Sequence, residues 1–250
     1  VHSLAELQSV YRSLALPEDL SGKTLLDIGC WDGFYSFEAE RHGAEVTAID
    51  YCQPENFFAA QEALKSNVRF CERSVYEIGK ESLGSFDIVL FLGVLHHLRH
   101  PLLALEKVCE LTRDFAVIES CITDSGRSEN EPEMRFYEFD ELGGDYDTWW
   151  TPNFECLLQM ARSAGFARVE LLSRTAARAA IKAHRRWNDK PKTMSSSLRI
   201  LDAINPFTFD RRFPRRGRNS AITILAEGLP RSARRWEVRV EIGGFGISPP

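Results

Sequence analysis

The segment Leu25-Leu26-Asp27-Ile28-Gly29-Cys30-Trp31-Asp32-Gly33 decides the fold of this 250-residue chain. An apolar run ends in a glycine-bearing turn, and residues 34–42 follow with helical spacing and a stop at Gly43. This order predicts a buried strand, a tight turn and a covering helix, which is the first unit of a parallel α/β sheet. Because the turn lies at the carboxyl end of a strand, we expect a ligand to bind there.

The same alternation continues along the chain. Further strands are predicted at 45–50, 68–73, 86–92 and 115–121, with a leading helix at 1–16 and others at 56–65 and 101–111. These strands are apolar nearly throughout, which is typical of a parallel sheet covered on both faces. Residues 167–173 and 221–227 are predicted to close the sheet. The expected fold is α/β, with a doubly wound, mostly parallel, seven-stranded sheet.

Two insertions interrupt this pattern, after the fifth and sixth strands. We predict a single domain over residues 1–250, with a leading helix in 1–20, an acidic and aromatic insertion at 123–150, a basic insertion at 174–219 and a tail at 228–250. Thr151 and Pro152 are predicted to cap and begin a helix that reaches about residue 164. The basic insertion holds 13 Lys or Arg against 3 Asp, although the whole chain has a net charge of -5. We expect both insertions to face the substrate, and residues 236–242 to add an edge strand.

The composition excludes several classes of protein. A hydrophobic content of 44% and a charged content of 27% are those of a globular protein, not a disordered one. No apolar run approaches the roughly 20 residues that cross a bilayer, and no signal peptide is apparent, so a cytoplasmic protein without a membrane partner is expected. The cysteines show neither CxxC nor zinc-ligand spacing and are predicted to be reduced core thiols, with no metal site: Cys30, Cys52, Cys71, Cys109, Cys121 and Cys156.

The turn after the first strand favours a nucleoside ligand. Gly29 and Gly33 would let the backbone approach it, and the following helix N-terminus favours a carboxylate. Asp50 closes the second strand about 20 residues later, where it can accept hydrogen bonds from both ribose hydroxyls. A dinucleotide requires G-x-G-x-x-G, but Trp31 and Phe34 occupy the second and third glycine positions and leave no room for a pyrophosphate. The pattern therefore disfavours NAD.

These residues resemble motif I and the ribose acid of the class I S-adenosyl-L-methionine (SAM)-dependent methyltransferases. A narrower resemblance, over residues 22–228, is to the tRNA wobble-uridine (mo5U34) methyltransferase-like family, whose best-understood branch transfers a carboxymethyl group from carboxy-SAM to a tRNA hydroxyuridine. It rests on Trp31-Asp32-Gly33-Phe34-Tyr35-Ser36, Gly93-Val94-Leu95-His96-His97-Leu98-Arg99-His100-Pro101, Met134-Arg135-Phe136-Tyr137 and Gly143-Gly144-Asp145. The resemblance implies a SAM site formed by Asp27, Gly29, Cys30, Trp31, Gly33, Asp50, Tyr51, Ser74, Val75 and Gly93. In related enzymes the residues after the third strand contact adenine, so Val75 is expected to pack on the ring while Ser74 accepts or relays a hydrogen bond.

Three departures from the carboxymethyl branch favour SAM over carboxy-SAM. That branch uses a lysine in a long N-terminal extension, and only about 20 residues precede the first strand here. His96 stands where the carboxymethyl branch has a tyrosine, and Ser220 aligns with the arginine at the start of the last strand in that branch. His96 would supply a charged donor only below about pH 6.5. An unpartnered, desolvated carboxylate would cost several kcal/mol, so we predict SAM.

The candidates for catalysis follow the fourth and fifth strands. Methyl transfer to a hydroxyl or amine is an in-line displacement that can use a base. His96, His97 and Glu119 are the candidate bases, and the alternative is a packing or hydrogen-bonding role for each. The aromatic residues of the acidic insertion either wall the substrate pocket or form a small core of their own: Phe136, Tyr137, Trp149 and Trp150.

The predicted function is methyl transfer from SAM to an O or N atom of an acceptor that the sequence leaves unidentified. An acidic chain without an RNA-binding module favours a small metabolite, sugar or lipid. The alternatives are a tRNA wobble-uridine (carboxy)methyltransferase and a catalytically silent SAM-binding subunit. The arginines between 174 and 218 either grip phosphates or form a solvated face paired with the acidic insertion. The oligomeric state is left open.

Overall fold

The computed structural model describes residues 4–123 and 131–186, together with the backbone of Ile222–Thr223 and Glu237–Val238. The chain divides into two compact units, residues 1–205 and 206–250. The first unit contains a seven-stranded sheet. In the second, the two short segments just named pair as antiparallel strands. That the whole chain forms one domain stays a prediction.

Strands and helices alternate in the first unit. In chain order they are α1 (Leu4–Ser13), β1 (Thr24–Ile28), α2 (Phe34–Arg41), β2 (Glu45–Asp50), α3 (Glu55–Leu64), β3 (Arg69–Glu72), α4 (Lys80–Leu83), β4 (Phe86–Leu92), a 3₁₀ turn (Leu95–His97), α5 (Pro101–Leu111), β5 (Thr112–Cys121), β6 (Met134–Phe136), β7 (Trp150–Pro152), α6 (Phe154–Ser163), β8 (Arg168–Arg174) and β9 (Arg178–His184). Each element predicted as far as β5 is present, with its ends moved by at most three residues.

The sheet has the strand order β3-β2-β1-β4-β5-β9-β8. Pairing is parallel from β3 to β5, and β9 runs antiparallel to both of its neighbours. The predicted doubly wound, mostly parallel sheet of seven strands is confirmed. Helices α1 to α3 cover one face, where Leu14 and Phe57 are buried, and α5 and α6 cover the other, where Leu105 and Leu157 are buried. The chain reverses direction across the sheet between β1 and β4, so a ligand crevice is expected at their carboxyl ends.

The closing strand of the sheet is not the predicted one. Strand β9 completes the sheet, whereas Ile222–Thr223 (β10) pairs with Glu237–Val238 (β11), so the prediction that 221–227 closes the sheet is wrong. Strand β9 lies within the range assigned to the basic insertion, which can therefore begin only after His184. Residues 187–219 lie outside the described residues. Strand β9 was missed because alanine is a weak strand former, although the buried Ala179, Ala180 and Ala183 fit between β5 and β8.

Helix α6 begins two residues later than predicted. Asn153 is its N-cap, and its side-chain oxygen accepts a hydrogen bond from the Cys156 N–H at 2.8 Å. Thr151 and Pro152 belong to β7 instead, where Pro152 pairs with Met134. The predicted cap was wrong because the Thr151 hydroxyl is already bonded to the Tyr137 hydroxyl at 2.9 Å. Asn is an equally good capping residue.

The structure also bears on the cysteines. All six carry free thiols, but only Cys30 and Cys109 are buried, and the other four are partly exposed. The expectation of core thiols therefore holds for two of them. Within residues 4–123 and 131–186, no helix is long and apolar enough to cross a membrane.

Candidate functional site

The turn after β1 is tied to the end of β2 by hydrogen bonds. The N–H groups of Gly29 and Cys30 both donate to the Ile49 carbonyl, at 2.8 and 3.1 Å. The Asp50 carboxylate accepts from the Trp31 N–H at 3.0 Å and from the Tyr51 N–H at 2.8 Å. The Cys52 thiol also lies 3.8 Å from Asp50 Oδ1, so Oδ2 is the oxygen that keeps capacity for a further donor. Asp50 is only 4% exposed, and its contact with a ribose diol stays a prediction.

The two glycines of this turn are required by packing. Gly29 and Gly33 have φ values of 74° and 81°, in the left-handed region that side chains rarely adopt. A Cβ on Gly29 would lie 2.3 Å from Val94 Cγ2, and one on Gly33 would lie 2.6 Å from the rings of Phe37 and Phe57. The space beside each glycine is thus filled by the protein itself. A closer approach of a ligand to their backbone stays a prediction.

The other predicted cofactor residues lie along the same edge of the sheet and differ in exposure. Tyr51 is 72% exposed and Trp31 is also largely exposed, so both side chains are open to a ligand beside Asp50. Val75 is buried in the core, and the Ser74 hydroxyl accepts a hydrogen bond from the Tyr76 N–H at 3.3 Å. Their contact with an adenine ring stays a prediction.

Asp27 and Cys30 support the turn from inside the protein. Asp27 is buried, and burial raises its pKa to about 6, although a hydrogen bond from the Ser36 hydroxyl at 2.6 Å opposes the rise. This bond joins β1 to the start of α2. Cys30 is also buried, and burial raises the pKa of its thiol, which keeps it protonated. Both residues therefore have a structural role in this structure.

His96 is a buried, neutral histidine in the 3₁₀ turn after β4. Its Nδ1 lies 3.4 Å from the Cys121 N–H, which must donate, and 3.3 Å from the Ser120 hydroxyl. Nδ1 is therefore an acceptor, and the proton of the neutral ring is on Nε2. Burial is the main cause that lowers the pKa of His96 to about 3, with smaller contributions from the neighbouring His97 and Arg178. His96 is consequently a poor base near neutral pH.

His97 has the opposite arrangement. Its side chain is exposed, and its Nδ1 lies 3.1 Å from the Asp147 carbonyl oxygen, which can only accept. A neutral His97 therefore carries its proton on Nδ1 and presents the Nε2 lone pair. The carboxylate of Asp145 lies 4.0 Å from the same Nδ1. Of the two adjacent histidines, His97 has the geometry of a general base.

Glu119 is held in an ion pair. Arg178 donates from Nε to one oxygen of Glu119 and from Nη2 to the other, the second at 2.7 Å, and its Nη1 lies 3.2 Å from Cys121 Sγ. Gly93, at the end of β4, lies alongside, because a Cβ there would be 3.5 Å from Arg178 Nη2. With both oxygens engaged by a cation, Glu119 is less suited to take a proton than His97.

The sequence reasoning missed Arg178. It is the residue that enters the last strand of the sheet, so the alignment of that position with Ser220 is wrong. The error follows from the misplaced closing strand. The available signal was the short apolar run Ala179-Ala180-Ile181, but its alanines made that signal weak.

The acidic insertion forms a wall beside the two histidines. The Trp149 N–H donates to the His96 carbonyl at 2.9 Å, and the Arg99 guanidinium stacks 3.8 Å above the Trp149 ring. Phe136 packs against Trp150 on the β6–β7 hairpin, and Tyr137 is buried. The insertion thus has a small core of its own and also contacts the histidine turn. That its aromatic residues wall a substrate pocket stays a prediction.

The chain is similar in sequence to proteins named as methyltransferases. Residues 26–115 match the family model described as a methyltransferase domain. The chain is 37% identical over 103 residues to a ubiquinone biosynthesis O-methyltransferase of Xanthomonas oryzae pv. oryzae (strain PXO99A). This match covers 40% of this chain and 42% of that protein. It is 33% identical over 159 residues to a tRNA U34 carboxymethyltransferase of Pseudomonas paraeruginosa (strain DSM 24068 / PA7), covering 60% of this chain and 46% of that protein. The chain therefore spans less than half the length of these curated relatives.

The fold also matches solved structures. The N-terminal domain of EvdMO1, crystallised in the presence of S-adenosylhomocysteine (SAH) and D-fucose, superposes with a TM-score of 0.55 and 18% identity, covering 73% of this chain and 82% of that one. Identity at this level shows a shared fold.

Proposed function

We propose that the chain carries a class I SAM-dependent methyltransferase domain and transfers a methyl group from SAM to an oxygen or nitrogen atom of a small acceptor. The observation that carries this proposal is the Asp50 carboxylate, fixed by the N–H groups of Trp31 and Tyr51 at the point where the strand order reverses. A fixed, buried acceptor at that point suits the ribose of SAM. Trp31 and Tyr51 are then expected to flank the nucleoside.

In the proposed reaction His97 acts as the base. The acceptor oxygen or nitrogen attacks the methyl carbon in line with the C–S bond, and its proton moves to His97 Nε2. The C–S electron pair returns to sulfur, which converts the sulfonium into the neutral thioether SAH. Alignment of the nucleophile supplies much of the acceleration, and a positioned base adds about 10²–10⁴-fold. His96 would serve as a neutral Nε2–H donor.

Charge around the site supports a small, non-polyanionic acceptor such as a metabolite, sugar or lipid. Between residues 131 and 149 the insertion has seven carboxylates and a single arginine, Arg135. Two of the carboxylates, Asp145 and Asp147, belong to the loop that contacts His97. A strongly negative partner would be repelled at this wall, because like charges brought together cost free energy. The acceptor is thus expected to be neutral or cationic near the reacting atom.

Two measurements test the proposal. Calorimetry is expected to give SAM and SAH binding at micromolar strength and no NAD binding; binding of NAD alone would end the proposal. Incubation with SAM and panels of hydroxylated and amine acceptors is expected to release SAH, and mass spectrometry of ligands that co-purify would narrow the panel. SAM binding without SAH release from any acceptor would favour the silent, SAM-binding subunit.

A second candidate is a tRNA wobble-uridine (carboxy)methyltransferase. Two observations favour it: the 159-residue match to a tRNA U34 carboxymethyltransferase, and Arg178 at the start of the last strand, where that family has an arginine. However, Glu119 already neutralises Arg178. With a pKa of about 3, His96 gains no charge near pH 6, so it would not help to bind the extra carboxylate of carboxy-SAM there. We retain SAM as the preferred cofactor.

A competition experiment separates the two cofactors. SAM is expected to bind at least as tightly as carboxy-SAM at about pH 7.5; a tenfold preference for carboxy-SAM, about 1.4 kcal/mol, would promote the second candidate. Binding of tRNA is expected to be weak at physiological salt. Tight and selective tRNA binding there would also favour the second candidate, since non-specific phosphate contacts weaken steeply with salt.

A further inference from the structure

We infer that Asp145 is a positioning residue for His97, and that β5 and the 145–149 loop hold the neighbouring His96 and His97, respectively, in opposite tautomers. This inference rests on the proposed function for its catalytic part. It assigns to the acidic insertion a role in the proton transfer itself, in addition to its role as a wall. His97 remains the group that takes the proton.

The tautomers follow from what each ring nitrogen contacts. The Cys121 N–H can only donate, so the Nδ1 of His96 accepts. The Asp147 carbonyl can only accept, so the Nδ1 of His97 donates. The rings are 4.2 Å apart between centroids, yet each is fixed by a different partner, β5 for His96 and the insertion for His97. The Nε2 atom of His96 thus presents an N–H donor, and the Nε2 atom of His97 presents a lone pair.

Asp145 organises the loop that fixes His97. One of its oxygens accepts from the Asp147 N–H at 2.9 Å, and the other accepts from the Thr148 hydroxyl at 3.2 Å. These hydrogen bonds hold the pKa of Asp145 below its usual range, the Asp147 N–H contributing most. Thr148 is buried and anchors the Asp145 carboxylate, whose Oδ2 lies 4.0 Å from His97 Nδ1. The Asp145 carboxylate is therefore placed on the side of the ring opposite Nε2.

This placement matters at the moment of proton transfer. When Nε2 takes the acceptor proton, His97 becomes an imidazolium, and the Asp145 carboxylate stabilises its charge from the far side. The neighbouring His96 stays neutral, with its ring centroid 4.2 Å from that of His97, and adds no charge that opposes this stabilisation.

Nuclear magnetic resonance of ¹⁵N-labelled histidine rings tests the tautomers directly. At about pH 9, where histidines are neutral, His97 is expected to show an Nδ1–H pattern and His96 an Nε2–H pattern. The His97→Gln variant assigns the signals. An Nε2–H pattern for His97, or the same tautomer in both rings, would overturn the inference. No acceptor or turnover is needed for this measurement.

Kinetics tests the role of Asp145. Asp145→Asn is expected to lower kcat about tenfold with an unchanged KM for SAM, and Asp145→Glu to recover part of the loss. Asp140→Asn is the matched control, because it removes one charge from an exposed position of the same insertion and is expected to leave kcat unchanged. If Asp145→Asn does not fold, Thr148→Val removes the hydroxyl that orients Asp145, with a smaller loss expected.

The outcomes separate this inference from the proposed function. A protein that releases no SAH with any acceptor contradicts the proposed function, whereas the tautomers are decided independently by the ring spectra. A protein that turns over, but whose kcat is the same in Asp145→Asn as in Asp140→Asn, contradicts the positioning role. A loss of kcat equal in Asp145→Asn and Asp145→Glu, with a raised KM for SAM, would also contradict it.

Discussion

The two halves of the site are built in different ways. The cofactor side consists mainly of one short segment and one acid. Residues 29–33 form the turn, and backbone N–H groups of neighbouring residues hold the Asp50 carboxylate by hydrogen bonds. On the acceptor side, His96 and His97 are fixed by partners from β5 and from an insertion 50 residues further along the chain. The first half is thus encoded locally, and the second is assembled by contacts distant in sequence.

This difference has a consequence for mutation. Changes on the cofactor side are expected to alter SAM binding or the stability of the turn, because the turn is packed and hydrogen-bonded as a unit. Changes on the acceptor side are expected to alter kcat and leave SAM binding intact, because the histidine turn contacts the insertion. A variant that breaks this division would show that the two halves are coupled.

The largest effect is expected for His97→Asn. Loss of a positioned base lowers kcat by about 10²–10⁴-fold, while the dissociation constant of SAM stays the same. Steady-state kinetics with an acceptor found in the panel and calorimetry with SAM measure the two quantities. The Glu119→Gln variant is the comparison, since a loss as large as that of His97→Asn would point to Glu119 as the base.

The next effect concerns the stability of the turn. Gly33→Ala is expected to lower the free energy of unfolding by about 2–5 kcal/mol, because it adds a left-handed alanine and a clash with Phe37 and Phe57. Gly22→Ala is the matched control: Gly22 also has a positive φ, of 71°, but no atom lies within 4 Å of its added Cβ. Urea unfolding of both variants measures the difference, and equal losses would mean that packing at Gly33 is unimportant.

Asp50→Ala is expected to weaken SAM binding by about 1–3 kcal/mol, the value of a charge-assisted acceptor. Asp32→Ala removes an exposed carboxylate from the same turn and is expected to have little effect. Calorimetry measures both, and circular dichroism checks that the fold is kept. Equal affinity of SAM for the Asp50 variant and the unaltered protein would show that Asp50 does not bind the ribose.

The smallest effect is a pH dependence of stability due to His96. Its pKa is about 3 in the folded protein and about 6.5 when unfolded, so its stabilising contribution is complete above pH 6.5 and is lost as the pH falls. Asp27 acts in the opposite direction, because its raised pKa of about 6 favours the folded state at low pH. The stability of the protein relative to His96→Asn should fall by about 1–2 kcal/mol from pH 7 to pH 5. A constant difference in urea unfolding would contradict the burial of a neutral His96.

Much of the fold could be predicted because its strands are long and apolar. Strand β4 and helix α5 were predicted with their observed ends, since each has a strong period and a clear boundary, such as Pro101 at the helix start. Strand β9 was missed because three of its seven residues are buried alanines, which carry little hydrophobic signal. The N-cap of α6 was predicted two residues too early because Thr151, a typical capping residue, is hydrogen-bonded to Tyr137 instead.

The sequence by itself determined the cofactor half of the site: the strand, the glycine turn and Asp50 follow one another at fixed spacing, and local backbone geometry brings them together. Only the tertiary structure decided the acceptor half. The sequence presents His96 and His97 as equivalent neighbours, but the Cys121 N–H contacts one and the Asp147 carbonyl the other, and these contacts give the two rings different tautomers. The sequence also does not indicate that Arg178, 59 residues after Glu119, would pair with that carboxylate. Burial and hydrogen-bond partners set the chemistry of a side chain, and these depend on contacts that sequence spacing does not reveal.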